Sequence, residues 1–289
     1  MIRIITGKTT ALYMRPCAPP YCLNRASEQA QGLVRFWPLG DNTFASCIDL
    51  VRGDKLTQNG TMTRSLGPDG VGIAVGNTGS TSNWLSLGSV PVSTQPLSIN
   101  TWFYPVNVTS SANVVVIGES VTGSNYNVLV IDGAAGYAAG DPVVALVEAG
   151  GEAFAASTTG YTAGTWHMGT ATFATALRTA YLDGKSPGTE TTSKTPTGQD
   201  DTQIGAFRVG ASTFGPMNGR ICNVGLWNRA LNAAQVYQLW EPSKRWDLLY
   251  PLGRRIYFDF ISTAGGRVAL NTRAFPLGVE VGMGWRMAG

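Results

Sequence analysis

The feature that most constrains this chain is a series of short, strand-like segments recurring at near-regular intervals between residues 70 and 228, followed by a single helical pattern. They read "GVGIAVG" (70–76), "NWLSLG" (83–88), "LSINTWFYPV" (97–106), "NVVVIGES" (113–120) and "NYNVLVID" (125–132). The series continues with "PVVALVEAG" (142–150), "TWHMGTATF" (165–173), "RTAYLDG" (178–184), "DTQIGAFRVG" (201–210) and "GRICNVGLWN" (219–228). Several alternate apolar and polar residues, the period of half-buried antiparallel strands. "YLDGKS" predicts a hairpin, because Asp-Gly readily takes the positive φ values of a type I′ turn. Many short strands at this spacing predict an all-β sandwich or barrel.

Composition agrees. A chain with 36 glycines, 15 prolines and 13% charged residues suits turns and strands better than long helices. Its 44% hydrophobic content fills a core, which excludes global disorder. The net charge is only +3, and Lys and Arg are scattered, so nucleic acid is not an expected partner. The exception is the group Lys244, Arg245, Arg254, Arg255, Arg267, Arg273 and Arg286, read as a solvated or partner-contacting tail. No apolar run reaches the roughly 20 residues that span a bilayer. "MIRIITGKTTALYMRPCAPPYC" lacks an apolar secretory core and a small-residue cleavage site, so synthesis in the cytoplasm is expected. Cys17, Cys22, Cys47 and Cys222 have no zinc spacing. Reduced thiols are the default, and a Cys17–Cys22 disulfide stays open.

Three segments follow. Residues 1–28 read as an arm, a short β-like "MIRIIT" and then "RPCAPPYC", whose prolines forbid regular structure, and 29–243 as the compact domain. Residues 244–289 read as a C-terminal arm, in which the aromatic, basic stretch 244–260 is expected to be extended and packed on something, and the last stretch has too few core-sized residues to fold alone. The one helix is "LNAAQVYQLW". Asn232 caps it, Gln235 is the reciprocal partner three residues on, Val236, Leu239 and Trp240 form its apolar stripe, and Pro242 stops it.

Several of these stretches resemble laminin-G-like, concanavalin A-like domains. "GLVRFWPLGD", with Trp37, is similar to the opening strand of that family, and "LSINTWFYP", with Trp102, to its central strand. "TWHMGTATF…RTAYLDGKS" resembles the family's Trp-His strand and Tyr-x-Asp-Gly hairpin, carrying Trp166, Asp183 and Gly184. "MNGRICNVGLWNRALNAAQVYQLW" resembles its closing segment, with Trp227, Asn228, Arg229 and Leu231, though Met217 replaces the usual Phe. The resemblance covers about residues 31–241 and implies a two-sheet antiparallel jelly-roll sandwich. It gives the tryptophans core roles and makes Asn228-Arg229 a turn whose side chains bond backbone groups. It implies no function, since such sandwiches host lectins, enzymes and adhesion modules.

Chemistry is sparse. Glucanase relatives carry Glu-x-Asp-x-x-Glu or Glu-x-Asp-x-Glu on one strand, and no such motif occurs here. Glu148 and Glu152 flank Gly150-Gly151 and are expected in a solvated loop, and the single histidine, His167, as a packed or hydrogen-bonded residue. No catalytic residue is assigned, and no cofactor is expected. Calcium would be held by loop carboxylates, with Asp200 and Asp201 the candidates beside Asp41 and Asp49. Arg52-Gly53-Asp54 is discounted as an integrin motif. Trp84, after Ser82 and Asn83, is the nearest thing to a sugar-stacking residue, set against a packed strand tryptophan.

The flanking arms and the aromatic, basic "WDLLYP…RRIYF" resemble structural proteins of tailed bacteriophages. The expectation is a non-enzymatic virion protein (capsid decoration, head fibre or tail accessory) whose arms contact other virion proteins and copies of itself. Its sandwich would touch host-surface glycan. The alternative is a secreted carbohydrate-binding module or glycoside hydrolase.

Overall fold

The computed structural model describes residues 22–39, 47–68, 73–250, 259–262 and 268–271. The chain divides into two units, one spanning Arg15–Leu252 and one comprising Met1–Met14 with Gly253–Gly289.

In chain order the strands of the first unit begin with β1 (Cys22–Leu23), β2 (Leu33–Trp37), β3 (Thr57–Asn59), β4 (Thr63–Leu66), β5 (Ile73–Thr78), β6 (Trp84–Ser86) and β7 (Leu97–Pro105). Next come β8 (Ser111–Gly118), β9 (Asn125–Asp132), β10 (Pro142–Ala149), β11 (Glu152–Gly160), β12 (His167–Ala174), β13 (Leu177–Leu182) and β14 (Lys185–Glu190). The last are β15 (Asp201–Ile204), β16 (Phe207–Val209), β17 (Ser212–Phe214), β18 (Asn218–Trp227) and β19 (Leu249–Tyr250). Helix α1 spans Ala233–Trp240. In the second unit, β20 (Asp259–Ser262) and β21 (Val268–Asn271) form an antiparallel hairpin.

Two antiparallel sheets make the sandwich. The seven-stranded sheet runs β11-β10-β9-β8-β15-β6-β3 and the eight-stranded sheet runs β14-β13-β12-β7-β18-β5-β4, with β2 also on β18. The expected all-β jelly roll is thus the observed fold. Alternation explains the layers. Ile99 and Phe103 of β7, Ala171 and Phe173 of β12, and Leu129 and Ile131 of β9 point between the sheets, where Trp37 is also fully buried. At one side the sheets meet closely enough that a Cβ on Gly188 of β14 would strike the Ala156 carbonyl of β11.

A second core lies on the outer face of the eight-stranded sheet. There Trp102, Met168, Tyr181 and Trp227 pack beneath Val236 and Leu239 of α1 and beneath Leu248 and Leu249. The capping box of Asn232 and Gln235 forms as the sequence predicts. The boundaries expected at 28/29 and 243/244 both fall inside this layer. β1 pairs with β19, the Asn24 side chain donates to the Asp247 carbonyl, and Gln29 donates to the carbonyls of Gln238 and Lys244. Residues 22–28 and 244–250 therefore belong to the packed sandwich, because Leu248 and Leu249 are buried in the cluster that contains Trp102 and Trp227, with Leu23 and Trp246 packed against it.

Candidate functional site

The outer face of the seven-stranded sheet gathers the groups most suited to binding. Along β10, Val143, Ala145 and Val147 point into the core, so Val144, Leu146 and Glu148 point outward. Val144 and Leu146 make a buried aliphatic floor with Val116, Val128 and Val130, joined by the ring of Phe207, and Tyr126, Tyr137 and Phe154 pack against it. Across the strands Glu148 lies opposite both Tyr126 of β9 and Glu152 of β11. The Tyr126 hydroxyl donates to Glu152 Oε1 at 2.8 Å. Glu148 Oε1 accepts the Gly151 N–H at 2.6 Å. The turn between the glutamates needs its glycines, with φ of 65° at Gly150 and 123° at Gly151. The Lys194 ammonium donates to the carbonyls of Ala149 and Gly150 and so pins that turn.

The ring of Tyr137 is presented by a loop knotted around Asp132. This fully buried carboxylate accepts from the Ser111 hydroxyl and from the N–H groups of Gly136, Tyr137 and Ala138. Burial opposes its ionisation, but those four donors win and hold the carboxyl below its ordinary value. Tyr137 meets Phe154 edge-on at 5.4 Å, and Tyr126 meets Phe207 edge-on at 5.2 Å. Burial and the nearby Glu152 push the Tyr137 phenol up to about 12. Burial, with the hydrogen bond and charge of Glu152, raises Tyr126 further still. Both phenols stay neutral donors. Aromatic rings on an apolar floor beside two carboxylates can pack against the C–H face of a sugar while accepting from its hydroxyls.

Glu148 and Glu152 are thus cross-strand partners at the end of a hairpin, a difference from the solvated loop that the glycines predicted. Tyr126, Tyr137 and Phe154 were not singled out in the sequence. Their signal is an aromatic at the outward position of an otherwise aliphatic strand, as at Tyr126 in "NYNVLVID".

The other residues named in the sequence sit elsewhere. Asp200 accepts from the Ser120 N–H and hydroxyl, and Asp201 from the Gly88 N–H and the Gln203 amide. Burial raises the Asp201 carboxyl above its ordinary value against those bonds. Asp49 is buried and accepts from the N–H groups of Phe36, Val51 and Arg52. Asp41 and Cys17 lie outside the described residues, as do Arg254, Arg255, Arg267, Arg273 and Arg286. Among the described residues no group of three or more His, Cys, Asp or Glu side chains is placed to hold a metal ion. Asp54 pairs with the buried Arg35 at 2.6 Å, which occupies the carboxylate of the Arg-Gly-Asp tripeptide.

His167 Nδ1 lies 2.9 Å from Asp183, and its Nε2 lies within 3.2 Å of the Thr162 N–H and hydroxyl and the Thr165 hydroxyl. Asp183 also accepts the Met168 N–H, so the group ties the Asp-Gly hairpin to strand β12. Asp183 and Gly184 both have positive φ, as a type I′ turn requires, and Gly184 lies against Trp240 and Tyr237 of α1. Trp166 is half-buried and edge-on to Tyr104. Trp227 donates from Nε1 to the Gln29 carbonyl. Arg229 donates to the Gln31 carbonyl and to Gln235, the Asn228 N–H donates to Gly32, and the buried Leu231 donates its N–H to Ser98. The buried Asn83 accepts the Thr61 N–H, while Trp84, half-buried, lies beneath the guanidinium of Arg208.

The chain belongs to the concanavalin A-like lectin/glucanases superfamily: the laminin-G-type family model of that description matches residues 78–237. Three solved structures are similar in fold. One is domain 4 of AbnA, a GH43 extracellular arabinanase from Geobacillus stearothermophilus, in complex with arabinotriose: TM-score 0.58 and 17% identity over 72% of this chain and 98% of that one. The second, the binding domain of Paraclostridial Mosquitocidal Protein 1, has TM-score 0.55 and 13% identity, covering 74% and 52%. The third, Trypanosoma rangeli sialidase with the inhibitor DANA, has TM-score 0.51 and 15% identity, covering 72% and 32%. The chain thus spans about half of the mosquitocidal binding domain and a third of the sialidase. No curated protein sequence matches the chain.

Proposed function

We propose that this protein binds a glycan on the outer face of its seven-stranded sheet, without catalysis, as a structural component of a tailed-bacteriophage virion. The observation that carries sugar binding is the patch of Tyr126, Tyr137 and Phe154 beside Glu148 and Glu152, set on a buried aliphatic floor. Membership of a superfamily of lectins and glucanases supports the same reading, as does the similarity to an arabinanase domain solved with arabinotriose.

The non-enzymatic part rests on how the candidate acids and base are held. A glycosidase needs one carboxylic acid made weakly acidic by an apolar pocket and a second carboxylate across a groove. Glu152 is exposed and accepts from Tyr126, and Glu148 is bound to its own turn. His167, the only histidine, is enclosed by Thr162, Thr165 and Asp183. The virion part is supported by the division of the chain, which places Gly253–Gly289 in a unit separate from the sandwich, the kind of segment that can pair with neighbouring subunits.

A glycan array that includes arabinotriose, probed with the whole chain and assayed in parallel for released sugar, tests the first two parts. Binding without release is expected; silence contradicts binding, and released sugar contradicts the non-enzymatic reading. Mass spectrometry of purified phage particles from a host producing the chain tests the third. The chain is expected in the particle fraction, and its absence there overturns the virion role.

A further inference from the structure

Hairpin β16–β17 lies on the same outer face and carries a second, chemically different group. Phe207 packs toward Tyr126 and the aliphatic floor. The next residue, Arg208, sends its guanidinium carbon to 5.5 Å from the ring centre of Trp84 on β6. Arg208 is held there by its backbone as well as its side chain. The amide of Gln203, itself 2% exposed, accepts the Arg208 N–H and donates to the Arg208 carbonyl, and also donates to Asp201. Arg208 Nη1 donates to the Ala211 carbonyl and to the Thr213 hydroxyl. Among the described residues no carboxylate pairs with Arg208, and Nε and Nη2 have no protein acceptor.

A rigid, half-buried guanidinium with its Nε–Nη2 edge unused is a fork for a carboxylate, since two parallel N–H donors match two carboxylate oxygens. The indole beneath it offers a flat apolar surface, and Ser86 and Asn59, on the outward positions of β6 and β3, add hydroxyl and amide groups. We infer that the Trp84–Arg208 group is a subsite for an acidic sugar, one bearing a ring carboxylate. Trp84 packs against the pyranose, and Arg208 takes the carboxylate in a bidentate bond. The site lies three strands from Tyr126 in the order β9-β8-β15-β6, about 14 Å across the sheet at an interstrand spacing of about 4.8 Å. It therefore reads a different residue of a glycan chain from the one at Tyr126. The inference rests on the glycan-binding reading and names the sugar class that the same face selects.

The test uses the full chain and two matched probes, a galacturonic acid oligomer and its methyl ester, measured by titration calorimetry at low and high salt. The acid is expected to bind at least tenfold more tightly than the ester in 50 mM salt, and the gap is expected to narrow at high salt. Arg208→Gln is expected to remove that preference by weakening the acid far more than the ester, while Arg208→Lys keeps a reduced preference because it retains charge but loses the fork. Trp84→Ala is expected to weaken both probes. Equal binding of acid and ester by the unaltered chain overturns the acidic subsite alone and leaves glycan binding standing. An acid preference that Arg208→Gln leaves intact, in protein whose unfolding transition is unchanged, also overturns it. Failure of both probes and of every array glycan overturns the glycan-binding reading, and the subsite with it.

Discussion

The hydroxyl of Tyr126 donates to the carboxylate of Glu152 across two interstrand spacings, over the side chain position of Glu148. The bond fixes an aromatic ring and a carboxylate side by side on an otherwise aliphatic face. It also ties the phenol's ionisation to the carboxylate's charge.

That tie gives a pH prediction. Tyr137 ionises near 12 and Tyr126 higher, both above the ordinary value of about 10 in an unfolded chain. Between those values the folded chain holds protons that the unfolded chain has released, so stability falls as pH rises. The stabilisation is complete below pH about 10 and is lost as pH climbs through 10 toward 12 and beyond. Urea midpoints measured from pH 8 to 11 are expected to be level below 10 and to drop above it. A Tyr126→Phe, Tyr137→Phe double variant should show a shallower drop, and an equal one contradicts the assignment.

Asp132 predicts the opposite slope in acid. Its folded carboxyl lies below the ordinary value, so its contribution is present above the unfolded value of about 3.9 and is lost as pH falls through the folded one. Asp132→Asn is expected to cost about 2 kcal/mol at pH 7, the loss of a charged acceptor shared by several donors. The difference from the parent chain should shrink as pH falls below the unfolded value of about 3.9 and through the lower folded one, read by chemical denaturation. A constant difference assigns the cost to packing instead.

Gly184 predicts a steric cost. Its φ is +70°, and an added Cβ would come within 2.8 Å of Trp240 Cβ and 3.1 Å of Tyr237 Cα in α1. Gly184→Ala is expected to destabilise by about 2–3 kcal/mol, from backbone strain together with displacement of the helix. Asp183→Asn, which keeps the turn, should cost less. Thermal unfolding of both variants checks the order, and equal losses contradict the close approach of the helix.

The sandwich was legible because its central strands alternate strongly: β9 was read at its observed bounds, and the Asp-Gly hairpin and capping box are local chemistry. Edge strands were missed for a physical reason. β11, "EAFAASTTG", is built of small residues, and β14, "KSPGTE", contains Pro and Gly, which an edge strand tolerates and a central one does not. Missing β11 left Glu152 and Phe154 in an apparent loop, so the patch they form with Tyr126 was invisible. That the segment after Pro242 packs on something was legible, but what it packs on was not, since only tertiary contact brings Leu248 and Leu249 into one cluster with Trp227. Which tryptophans face outward rather than into the core is likewise set by strand register: Trp37 and Trp227 are fully buried, and Trp84 is not.

The most direct measurement is the affinity of the full chain for its best array glycan, compared with Tyr126→Ala and Phe154→Ala by titration calorimetry. Each substitution is expected to weaken binding by about thirtyfold, equivalent to about 2 kcal/mol, with a native circular dichroism spectrum. Undiminished affinity in both variants would contradict a glycan site on this face of the sandwich.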